Sequence, residues 1–122
     1  MKGNILASLF LLVFGAAVGW IIWNDSLTSP SGAAGVGQPT LMDFYADWCG
    51  PCIAMKPVVH ELANELQGKL RVVEVNVDEN PDLARHYNVR SIPCFVVLKD
   101  NKEVTRRTGS MPKESLRQLT GL

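Results

Sequence analysis

An excess of charge of either sign is the first thing this sequence lacks. Twelve basic and twelve acidic side chains cancel, so no electrostatic surplus marks the chain for nucleic acid or for an anionic surface. Cysteine is scarce too. Three cysteines are too few for a disulfide-stapled scaffold, and a pair as close as Cys49 and Cys52 reads as reactive rather than structural. No cysteine follows the N-terminal apolar run at lipoprotein spacing, which argues against a lipid anchor there. Histidine is limited to His60 and His86. Both fall among polar neighbours and read as solvated surface residues, not ligands. At 122 residues the chain has room for one domain, and the part from Gln38 onward is close to the lower size limit for a self-sufficient core. Beyond Trp23 there is no long hydrophobic run.

Before that point there is one. Ile5 to Trp23 is 19 residues without a charge; as a helix it would span about 28 Å, against a hydrocarbon thickness of ~30 Å. Trp20 and Trp23 sit at its outer end, where indole rings favour the lipid–water boundary, and Lys2 biases the N-terminus towards the cytoplasm. The reading is a membrane anchor over 1–23 with the rest of the chain outside the cytoplasm. A cleaved signal peptide is the competing reading, with small residues at Ser31-Gly32-Ala33 and Gly15-Ala16-Ala17. The apolar run exceeds a usual signal core, which favours the anchor, and either reading exports the domain. Residues 24–39, rich in Ser, Gly, Ala and Pro, read as a flexible tether with a reach of roughly 20 Å, leaving 40–122 as the folded domain.

Within the domain, Thr40 to Ala46 reads as a buried strand. Met55, Val58, Val59, Leu62 and Leu66 mark one face of a helix that Gly68 stops. Arg71 to Asp78 alternates around four valines, as a central parallel strand would. Asn80-Pro81-Asp82 reads as a capped start for a short helix ending near Asn88. Pro93 to Leu98 and Glu103 to Thr108 pair through a turn at Lys99–Lys102. Met111-Pro112 opens a last helix with Leu116 and Leu119 inward and Gly121 as its stop. The expected class is α/β, in the order β-α-β-α-β-β-α with a four-stranded mixed sheet, after an N-terminal transmembrane helix.

The chemistry concentrates in Trp48-Cys49-Gly50-Pro51-Cys52. A dithiol at this spacing can open and close a small disulfide ring. Cys49 falls near a helix N-terminus, where unpaired N–H groups and the positive dipole end favour a thiolate. Cys49 is therefore the expected attacker, and Cys52, one turn inward, the resolver.

The run Asp43-Phe44-Tyr45-Ala46-Asp47-Trp48-Cys49-Gly50-Pro51-Cys52, followed by Pro57 and by Ser91-Ile92-Pro93, resembles the thioredoxin family, collinearly from about Leu41 to Leu119. The resemblance implies a shortened thioredoxin-like fold, because tether and membrane segment stand where the family has a further strand and helix. One sheet edge and one sheet face would then be less covered. It implies that Asp43 lies beneath Cys52 and takes its proton, that Trp48 is a surface lid beside Cys49, and that Gly50-Pro51 matches the reducing members. It also implies that Ile92-Pro93 carries a cis bond opposite the cysteines, with Ile92 and Pro93 beside the substrate chain.

Two positions depart from the family. Glu74 stands where a lysine is common, and a second carboxyl near Asp43 is expected to shift proton transfer towards higher pH, with a glutamate that simply reaches solvent at a sheet edge as the equal alternative. Cys94 replaces the usual threonine after Pro93; it reads as a small buried group, with a third reactive thiol as the other possibility.

The expected function is a thiol–disulfide oxidoreductase that reduces protein disulfides through a Cys49/Cys52 cycle. It needs no cofactor beyond that disulfide and no metal. Expected partners are protein disulfide substrates and a membrane thiol-transporting electron donor, with no nucleic acid. The expected location is a bacterial inner membrane, crossed once, with the domain facing the periplasm. An oxidase or isomerase is the alternative within the class. A copper-handling module using Cys49, Cys52 and Cys94 is weaker because of Pro93, and the intact cysteine pair opposes a non-catalytic binding domain.

Overall fold

The computed structural model describes residues 37–122. The anchor expected over 1–23, and all of the tether before residue 37, lie outside the described residues. Among the described residues no helix is long and apolar enough to cross a membrane.

Strand β1 (Thr40–Tyr45) is buried along its middle four residues, so both of its faces are covered. It lies in the interior of a four-stranded sheet of order β2-β1-β3-β4, with β2 (Arg71–Asn76), β3 (Cys94–Lys99) and β4 (Lys102–Thr108). It runs parallel to β2, setting Leu41 beside Val72 and Asp43 beside Glu74. It runs antiparallel to β3, with Asp43 opposite Phe95 and Phe44 opposite Cys94. Parallel strands need a crossover, and helix α1 (Gly50–Glu65) supplies it. Helices α2 (Pro81–His86) and α3 (Lys113–Thr120) complete the chain.

The two-residue period of β1 separates two cores. Leu41, with Phe95 and Val97, packs against Met55, Val59 and Leu62 of α1 and Leu116 of α3. Met42 and Phe44, with Val75, Cys94 and Val96, pack towards Ala84 of α2. Asp43 alternates with Met42 and Phe44 and therefore falls on the α1 side. The backbone N–H of Met111 donates to Met55 Sδ at 3.5 Å, tying the approach to α3 onto α1. Asp100 and Asn101 both adopt positive φ, 51° and 62°, the geometry of a tight hairpin turn that Asp and Asn tolerate.

Three expectations need correction. The valine-rich strand Arg71–Asn76 is an edge strand, not a central one. Its charged Arg71 and Glu74 are both exposed, as suits an edge. Asn80 does not cap α2 through its side chain; its amide instead donates to the Asn76 carbonyl at 3.2 Å. That helix ends at His86, with Asn88 beyond it at φ 52°.

Candidate active site

The end of β1 turns through Ala46-Asp47-Trp48 and delivers Cys49 to the N-cap of α1. The turn is held by the Cys49 N–H donating to the Ala46 carbonyl at 3.2 Å. Pro51 lies in the first helical turn, where a missing N–H costs nothing. Cys49 and Cys52 form a disulfide with Cα atoms 5.2 Å apart. The Cys52 backbone N–H donates to Cys49 Sγ at 3.3 Å, so a capping donor points at that sulfur. Both cysteines are buried.

Trp48, which shares a groove with Cys49, is 72% exposed. Its indole N–H donates to Asp78 Oδ2 at 2.8 Å. Asn76, at the end of β2, holds the surrounding turns. Its Oδ1 accepts from the N–H groups of Asp78 and Glu79 at 2.9 and 3.3 Å, and its amide donates to Asp47 Oδ2 at 3.4 Å. Asn76 and Asp78 did not stand out in the sequence. The only signal was an asparagine at a strand end, where Asx turns form.

The Ile92-Pro93 bond is cis, and the Pro93 carbonyl accepts from the Gly109 N–H at 2.8 Å. A groove of about 550 Å³ joins Trp48, Cys49, Gly50 and Pro51 on one wall to Val77, Ala84, Val89, Arg90, Ser91 and Ile92 on the other. Five expected site residues thus meet at one surface. Cys52, Asp43, Pro93, Glu74 and Cys94 are not part of the groove wall. Cys94 is buried in the cluster of Met42, Phe44 and Val96, away from the core that α1 covers.

Asp43 is buried on the α1 side of the sheet, and its Oδ1 accepts no hydrogen bond among the described residues. Burial, reinforced by the Glu74 charge, pushes its carboxyl up to about 7; Lys56 and His60 pull the other way. Lys56 itself rests over Tyr45, its Nζ 4.5 Å from the ring centre. His60 is solvent-exposed but not free: its Nε2 lies 3.1 Å from Glu74 Oε1.

A buried acid beneath a helix that carries a dithiol at its N-terminus, beside a groove whose wall reaches Ile92 just before the cis bond, is a device for disulfide exchange. The thioredoxin family model matches residues 33–120. The chain belongs to the thioredoxin family. It is 48% identical over 80 residues to "Thioredoxin 1" of Nostoc sp., covering 66% of this chain and 75% of that one. It is 43% identical over 79 residues to "Thioredoxin" of Chlorobaculum thiosulfatiphilum, covering 65% and 73%. Among solved structures, a mutant thioredoxin from Halobacterium salinarum is 40% identical, with a TM-score of 0.64 over 69% of this chain and 73% of that one. Fasciola hepatica thioredoxin is 39% identical, with a TM-score of 0.66 over 70% and 80%. This thioredoxin-family chain is accordingly a protein disulfide oxidoreductase, and its redox group is its own Cys49–Cys52 disulfide.

Proposed function

We propose that this thioredoxin-family protein works as a reductase of protein disulfides outside the cytoplasm, tethered to a bacterial inner membrane by residues 1–23. The observation that carries the direction is Gly50-Pro51 between the two cysteines, which matches the reducing members of the family; the donor aimed at Cys49 Sγ from the Cys52 N–H, at the N-terminus of α1, supports Cys49 as the nucleophile. Once the disulfide opens, that donor and the helix dipole favour the Cys49 thiolate, the nucleophile of the exchange. That stabilisation serves attack in either direction, since a steadier thiolate by itself favours the reduced form of the protein.

In the cycle, the Cys49 thiolate attacks a substrate disulfide and forms a mixed disulfide. Cys52 then transfers its proton to Asp43 and attacks Cys49, releasing the substrate as a thiol. The substrate chain lies in the groove between Trp48, Gly50 and Pro51 on one side and Ser91 and Ile92 on the other. A membrane thiol transporter returns the electrons, and the tether over 24–39 lets the small domain turn towards both partners. An oxidase uses the same residues in reverse, so the test is a potential. We expect the full-length chain, equilibrated against a dithiothreitol series, to sit near about −270 mV; a value near about −120 mV would make it a disulfide donor.

A further inference from the structure

Each resolution step of the reaction proposed above leaves a proton on Asp43, and a carboxyl this buried does not meet water directly. Asp43 is 2% exposed. The sheet register places Glu74 beside it on the neighbouring strand, at the ~4.8 Å spacing of paired strands and on the same face. The Glu74 side chain is 34% exposed, and the His60 ring that it holds at 3.1 Å is 57% exposed. Three proton-carrying groups therefore run outward in order, from core to solvent.

The other charges around this line are few. Lys56 on α1 rests over Tyr45 of β1; on β2, Arg71 is exposed at the strand start; β3 presents the apolar Phe95 opposite Asp43. From α3, Lys113 and Arg117 are taken up by Glu61 and Glu65. Lys56 is thus the nearest competing charge, and it sits on the same helix one turn before His60.

We propose that Glu74 and His60 form an outer proton path between Asp43 and solvent, with His60 a positioning residue that acts through Glu74. The inference rests on the reductase reading. During resolution the Cys52 Sγ–H gives its proton to Asp43 while its sulfur attacks Cys49. The Cys49–Cys52 bond forms, the bond from Cys49 to the substrate sulfur breaks, and the substrate leaves with that electron pair and takes a proton from water. Asp43 then passes its proton to Glu74, directly or across one water, and His60 delivers it to solvent. When an external dithiol reduces the disulfide again, the path runs inward.

The test measures insulin reduction by the full-length chain, with dithiothreitol as donor, in weak buffer between about pH 6 and pH 9, a window that brackets the Asp43 carboxyl near 7. His60→Ala is expected to lower kcat by about tenfold, less than the 10²–10⁴ of a directly acting acid or base, with KM for insulin unchanged. Added imidazole should restore the rate in this variant and leave the unsubstituted chain unaffected. Glu74→Gln should lose a similar factor, and the double variant should lose little more than either single one. An unchanged rate and pH profile in His60→Ala, a loss that imidazole does not restore, or additive losses in the double variant would each overturn the path. Cys49→Ser must be inactive throughout. If it is, and His60→Ala behaves like the unsubstituted chain, the path fails and the reductase reading stands. If the unsubstituted chain does not reduce insulin, both fail.

Discussion

Two carboxyl sites share helix α1, and they are built on opposite terms. Asp43 lies under the helix without a hydrogen-bonded cation, and burial raises its carboxyl to about 7. Glu65, at the far end of the same helix, faces solvent between Lys113 and Arg117 of α3. Those two cations, Lys113 first, hold its carboxyl below the ordinary value. In one place desolvation outweighs the opposing pull of Lys56 and His60; in the other, pairing wins because water has not been excluded. The difference separates chemistry from architecture. Glu65 helps hold α3 against α1, at an energy that salt can screen. Asp43 is held in a state that folding alone would not choose, since an ionised carboxyl is disfavoured in an apolar site.

The strongest challenge to this contrast is Asp43→Asn, which keeps the shape and removes the titration. We expect insulin reduction near neutral pH to fall by about 10²-fold, the lower end for a positioned general base. Stability should move the other way. The unfolded carboxyl loses its proton near its ordinary value of 3.8, whereas the folded one keeps it to about 7. Between those values the folded chain binds more protons, so the native protein loses stability as pH rises through that window and levels off above it. Three pH units at ~1.4 kcal/mol each give the variant an advantage on the order of 4 kcal/mol at about pH 8, and none below about pH 4. Urea unfolding at both pH values measures it, and an equal advantage at both would mean that titration is not the cause.

A smaller effect is expected from Glu74→Lys, which exchanges the charge that raises Asp43 for one that lowers it. The pH profile of disulfide reduction should move towards acid by about one pH unit or more. A profile that stays in place would leave burial as the whole explanation of Asp43. The least change is expected from Glu65→Gln. Because the Glu65 carboxyl is depressed, its contribution is present above its unfolded titration and disappears as pH falls. The melting temperature should drop only slightly at neutral pH, and the drop should vanish at about 1 M salt. A large, salt-independent drop would show that the pair with α3 is closer to a buried one.

What could be read along the chain was local. Cys49 and Cys52 stand three residues apart, and one helix start sets their geometry, so the spacing placed the dithiol and the helix start pointed to Cys49 as the expected nucleophile. Thr40 to Ala46, the helix stop at Gly68 and the Asp100-Asn101 turn are likewise matters of neighbouring residues and period. The thioredoxin resemblance added the cis bond at Ile92-Pro93, which no periodicity reveals. Other features depend on which strand lies beside which. The valines of β2 suit a central or an edge position equally well, and sheet order alone makes them an edge. The Glu74 neighbour of Asp43, 31 positions away in the chain, was expected only through the thioredoxin resemblance, and the sheet register sets the two side by side. His60 reads as an idle surface histidine until the crossover of α1 brings it to Glu74, 14 residues on; Trp48 finds Asp78 at a separation of 30. Side-chain pattern encodes which face a residue presents to the core. Who waits on the other side is set when the whole sheet closes, because burial and pairing energies act between residues that folding brings together from distant parts of the chain.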